Sequence, residues 1–118
     1  LDTVCYNMDR HTNNYGLIRD ISSGDIISLA PNYDNNIALI ANGYPSDVTR
    51  EKDGLMKFFF EFIENNLQAK QMFKSLDIPA ITKDMIETCL EKNSISVDKN
   101  FIISFILNGQ KIIKNHID

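Results

Sequence analysis

Apolar and polar positions change rhythm part-way along the chain. Up to about residue 50 the apolar residues come in short runs separated by Asn, Asp, Ser and Gly. Two such runs, 15–19 and 25–29, flank Asp20-Ile21-Ser22-Ser23-Gly24, so the pattern predicts a β-hairpin around a polar turn. Pro31 closes the second strand, because proline gives a ladder no N–H. Residues 32–45 read as irregular, with a helical turn over 37–40. Downstream the period becomes helical. Thr49, ahead of Arg50-Glu51-Lys52-Asp53, marks the start of a helix whose Leu55, Met56, Phe59, Phe60 and Ile63 share one face. The aromatic stripe Phe58-Phe59-Phe60-Phe62 is expected in the core. A short helix over 68–75 is expected to bury Met72 and Phe73. Thr82 caps a helix over 83–92 with Met85, Ile86, Cys89 and Leu90 as its apolar stripe. Asp98 caps the last helix, with Val97 and Ile102 as a hydrophobic staple. That helix is expected to bury Phe101, Ile102, Phe105, Ile106, Ile112 and Ile113 and to kink or break at Asn108-Gly109. The fold class read from the pattern is mostly α with a short β-hairpin.

Composition narrows the function classes. A chain of 118 residues, 43% hydrophobic and 24% charged, can bury a single core without metals or disulfides. Its net charge of −4 supplies no basic field for nucleic acid or an anionic membrane surface. No apolar run approaches the ~20 residues of a membrane span. The chain starts at Leu1 without a signal-peptide pattern, and the absent initiator Met suggests a piece of something longer or a processed product. Cys5 and Cys89 form no CxxC pair; the expectation is two buried free thiols in a reducing cytoplasm. Charge is unevenly placed. Residues 1–50 hold three Arg and six Asp with no Lys or Glu, whereas 51–118 hold nine Lys against ten acids. The first segment is expected to carry functional groups on loops and the second to be helical scaffold of the same unit.

The candidate chemistry lies in Asn7-Met8-Asp9-Arg10-His11-Thr12-Asn13-Asn14. Asp9 and Asn14 are five apart, a spacing that would diverge by ~140° on a helix but can converge on a loop. An Asp followed five residues later by an Asn is the spacing of a kinase catalytic loop, where Asp takes the substrate hydroxyl's proton and Asn holds magnesium. Just past the hairpin, Leu29-Ala30-Pro31-Asn32-Tyr33-Asp34 brings a second carboxylate. Magnesium takes hard oxygen ligands and keeps several waters, so one carboxylate and one amide suffice. Two His and two Cys, scattered along the chain, do not have zinc-ligand spacing. On the residues alone His11 could serve as a general base or metal ligand, while Arg10 is expected to contact phosphate or make a structural salt bridge, and Tyr33 to pack.

Asn7-x-Asp9-x-His11-x-x-Asn14 followed by Leu29-Ala30-Pro31-x-Tyr33-Asp34 resembles the C-terminal lobe of HipA-like serine/threonine kinases, closely over residues 6–36 and loosely over the helices. The resemblance implies a protein-kinase-like C-lobe, with Asp9 as the catalytic aspartate, Asn14 and Asp34 holding Mg2+ and ATP, and His11 ordering the loop through backbone groups. It implies a bacterial toxin–antitoxin setting, a protein substrate and an antitoxin-like or N-lobe partner. Asp9-Arg10-His11-x-x-Asn14 is equally similar to the catalytic loop of phosphoinositide-type lipid kinases. A lipid kinase would want a basic face, whereas residues 1–50 carry a −3 charge. The alternative from another class is a non-catalytic helical module that binds a protein partner. No Gly-rich phosphate loop occurs, and the first lysine is Lys52. The expectation is therefore a C-lobe fragment, inactive without its N-lobe.

Overall fold

The computed structural model describes residues 1–33, 38–94 and 96–118. Among them are four α-helices and one two-stranded antiparallel sheet: β1 (Leu17–Arg19), β2 (Ile26–Leu29), α1 (Gly54–Asn65), α2 (Leu67–Ser75), α3 (Lys83–Lys92) and α4 (Lys99–Ile117). The protein is thus a small α-rich domain with one hairpin.

The hairpin forms where the turn chemistry predicts it. Leu17 pairs with Leu29 and Ile18 with Ser28, and the register shifts before Arg19 meets Ile26. Asp20 Oδ1 accepts the Ser22 and Ser23 N–H groups at 2.9 and 2.8 Å, an Asx turn that closes the loop. Gly24 supplies the positive φ of 75° that a side chain would resist. The strands are shorter than the apolar runs, and every strand residue is exposed.

Helix starts follow side-chain caps. Thr82 Oγ1 accepts from Met85 N, and Asp98 Oδ1 accepts from Phe101 N, as the sequence predicts. The start of α1 does not fall at Thr49. Asp53 is its cap, accepting the Leu55 and Met56 N–H groups, while Thr49 sits in a turn closed on Asp47. Val97 packs against the cluster that contains Ile102, which fits the expected staple.

The core gathers along α4. Ile102, Ile103 and Ile106 cluster with Ile86 of α3, flanked by Val4, Leu39, Ile40 and Leu90. Phe105 is 2% exposed and meets the Tyr6 ring edge-on at 5.5 Å. Several expected core residues lie outside it. Phe58 is 72% exposed and Phe62 58%, because α1 is apolar on more than one side and only Met56 and Ile63 are buried. Met72 and Met85 are exposed, and Cys89 is an exposed free thiol rather than a buried one. α1 packs against α2 and α4, and α3 against α4, which leaves the rest of each helix surface open to solvent.

Asn108-Gly109 does not interrupt α4, which runs unbroken to Ile117. Asn108, Gly109 and Gln110 are instead a docking point for two loops, the one before α1 and the one between α2 and α3. Asn108 Nδ2 donates to Val48 O at 2.8 Å, and Gln110 takes both backbone groups of Ile81 at 2.6 and 3.0 Å. Between them, Gly109 leaves room for the Arg50 guanidinium. A Cβ at Gly109 would stand 2.2 Å from Arg50 Nη1.

Arg50 is 1% exposed and in the left-handed region with φ 63°. Its guanidinium pairs with Asp53 Oδ2 at 2.6 Å, donates to the Thr3 and Val4 carbonyls, and stacks 4.2 Å from the centre of the Phe105 ring. A buried charge is tolerable only with such a complete set of partners.

Alanine is favoured over glycine inside a helix by about 1 kcal/mol, yet Gly109→Ala is expected to destabilise the protein by ~1–3 kcal/mol through overpacking against Arg50. In an Arg50→Ala background that cost should vanish. Urea unfolding of the four members of this double-mutant cycle measures it; a stabilising Gly109→Ala would contradict the arrangement.

Candidate functional site

The loop from Asn7 to Gly16 is built from its own amide and guanidinium groups. Asn7 is 3% exposed, and its Oδ1 accepts the Asp9 N–H at 3.1 Å. Its Nδ2 reaches back to Asp2 Oδ1 at 3.4 Å. Asn14 is 1% exposed and closes the loop on itself. Its Nδ2 donates to the Asp9 carbonyl, its Oδ1 accepts the His11 N–H at 2.9 Å, and its own N–H donates to His11 O at 3.1 Å. The five-residue spacing thus lets the Asn14 amide close onto the Asp9 backbone carbonyl, while the Asp9 carboxylate lies beside His11.

The side chains divide by exposure. The Asp9 carboxylate is about half-exposed, with His11 Nε2 3.7 Å away. His11 Nδ1 accepts the Asn13 N–H at 3.2 Å, which is the backbone-ordering role expected of it. Asn14 Oδ1 spends one lone pair on His11, and an amide oxygen has two. Asp34 lies outside the described residues.

Arg10 joins the loop to the chain beyond the hairpin. It grips Asp2 at 2.9 and 2.7 Å through Nε and Nη2, so it makes a structural salt bridge. Nη1 donates to the Asn14 carbonyl at 2.6 Å and to the Tyr33 carbonyl at 2.8 Å, and Nη2 to Asn32 Oδ1 at 3.0 Å. Tyr33 adds a bond of its own from its hydroxyl to Asn13 O at 3.3 Å, and Ala30 N–H donates to Gly16 O at 2.9 Å. Asn14 and the residues before Asp34 are thereby laced together at the base of the hairpin. A groove of about 320 Å³ opens beside them, with Arg10, Asn14, Gly16, Leu29 and Pro31 among its walls.

Neither Asp2 nor the buried state of Asn7 was evident from the motif. Asp2 sits eight residues from its partner, too far along a helix or a strand for the two side chains to meet. The one available signal was the absence of Lys and Glu from residues 1–50, which leaves Arg10 only Asp carboxylates to pair with there.

No family model, curated protein or solved structure matches the chain. Loop geometry and donor chemistry must therefore support the functional reading. Among the described residues no group of three or more His, Cys, Asp or Glu side chains could hold a metal. No helix among them is long and apolar enough to cross a membrane.

The Arg10 guanidinium beside Asp2 holds its carboxyl below the usual carboxylate range, with partial burial opposing. The folded chain then binds that proton less readily than the unfolded one. The pair's contribution is complete above the unfolded carboxylate value of about 3.9 and fades as pH falls through the lower folded value. Denaturant unfolding is expected to show Asp2→Asn less stable than the parent near neutral pH, with the gap closing as pH falls below the unfolded carboxylate value of about 3.9. A gap independent of pH would contradict the ion pair.

Proposed function

We propose that the loop serves phosphoryl transfer from Mg-ATP to a protein Ser or Thr, in the C-lobe of a HipA-like kinase. The observation that supports this best is the closed Asp9–Asn14 loop. One amide side chain fixes the backbone on both sides of Arg10, at the Asp9 carbonyl and the His11 N–H, and leaves the Asp9 carboxylate about half-exposed. A base that must meet an incoming hydroxyl needs this combination of fixed backbone and accessible carboxylate.

In this reading Asp9 orients the substrate hydroxyl and accepts its proton. Asn14 Oδ1 and the Asp34 carboxylate are the hard oxygens suited to Mg2+. Bound Mg-ATP supplies the phosphoryl group, and the cation spreads the charge on its oxygens. Arg10 and Tyr33 hold the two ligand-bearing segments side by side. Positioning and charge neutralisation do most of the work, because the transition state needs little covalent help. The sequence has no Gly-rich loop, and its first lysine follows the motif region. The nucleotide-covering half would therefore come from residues outside these 118, and the isolated chain would not turn over ATP.

A second reading, a helical module that binds a protein partner without catalysis, draws on the exposed apolar side chains Phe58, Phe62, Leu67 and Met72.

The test uses the protein from its full reading frame. Asp34→Asn is expected to weaken Mg-ATP binding about tenfold or more. Asp9→Asn should keep the parent affinity within about twofold while phosphate transfer falls ~10²–10⁴-fold. Calorimetry and transfer of labelled phosphate separate the two, and parent-like transfer in both variants would overturn the assignment.

A further inference from the structure

The geometry points to Arg10 as a positioning residue that sets the spacing between Asn14 and the segment leading into Asp34. What that spacing serves rests on the phosphoryl-transfer reading. The decisive contact is a shared one. A single nitrogen, Nη1, donates to the carbonyls of Asn14 and Tyr33 at 2.6 and 2.8 Å, and so bridges two segments far apart in sequence. Nη2 extends the bridge to the Asn32 side chain at 3.0 Å. The far side of the guanidinium is anchored by a bidentate grip on Asp2, which is itself tied to Asn7 at the loop's other end.

This arrangement requires an arginine. A planar fork can address Asp2, Asn14, Asn32 and Tyr33 at once in fixed directions, whereas lysine offers one compact ammonium. It also suits the cation chemistry. Magnesium demands near-octahedral geometry at roughly 2.0–2.1 Å, so a small drift between its ligand-bearing segments is costly. Partners that orient metal ligands are worth about 10–100-fold in affinity when removed. Direct contact with phosphate would behave differently, because lysine is itself a good phosphate binder and would rescue it.

The experiment compares the parent protein, made from its full reading frame, with its Arg10→Lys and Asn32→Ala variants. Mn2+ with ATP is the probe, followed by water-proton relaxation, and amide hydrogen exchange is read at His11, Asn14 and Ala30. These three N–H groups hold the loop and the hairpin base together. Arg10→Lys is expected to weaken Mn-ATP uptake about 10–100-fold and to raise exchange at the three amides about tenfold, with α4 unchanged. Asn32→Ala removes one arm and should move both readouts the same way by about two- to threefold. Parent-like uptake in Arg10→Lys would overturn the inference, as would a uniform rise in exchange that included α4. A parent that takes up no Mn2+ would instead sink the phosphoryl-transfer reading. Exchange at His11, Asn14 and Ala30 would then judge Arg10 alone.

Discussion

The buried Arg50 guanidinium is the constraint on which the other parts depend. Fully desolvated, it needs a carboxylate, and Asp53 provides one while also capping α1. It needs further acceptors, and the Thr3 and Val4 carbonyls provide them from the other end of the chain. Phe105 covers its face, and Gly109 leaves the space. Removing one partner of such a cluster strands the rest, at a cost of about 3–5 kcal/mol for a broken buried pair. The left-handed backbone of Arg50 costs roughly 1–2 kcal/mol and persists because these contacts together require it.

The same contacts place the candidate site. Arg50 holds residues 3 and 4, and the adjoining Asp2 holds Arg10. Arg10 in turn holds Asn14, Asn32 and Tyr33. Two arginines thus connect the helical core to the loop through one short N-terminal turn. They differ in environment. Arg50 is sealed from water, whereas the Asp2–Arg10 pair is 19% and 35% exposed at Arg10 and Asp2 respectively, so solvent and salt screen it. Disturbance is expected to reach the loop before it reaches the helices.

What could be read from the sequence was local. The Ser-Ser-Gly turn, the Thr82 and Asp98 caps and the closure of Asn14 onto the Asp9 backbone each depend on neighbours within a few residues. What escaped was tertiary. Thr49 looked like a cap because a threonine ahead of a charged run reads as a helix start, whereas Asp53 does the capping while also bound to a buried arginine. Gly109 looked like a break because glycine's helix penalty is legible in sequence, while a guanidinium arriving from Arg50 is not. Periodicity marked α1 as amphipathic, but its extra aromatics, Phe58 and Phe62, face no partner among the described residues. At the site, the motif indicated which residues converge, and Arg10's long-range bonds show what holds them there.

The most direct test of the account is intact-mass spectrometry of the protein from its full reading frame after incubation with Mg-ATP, beside its Asp9→Asn variant. The account predicts mass steps of ~80 Da, one per phosphoryl group, in the parent and none in the variant. Equal phosphorylation of both would contradict the role given to the Asp9 loop.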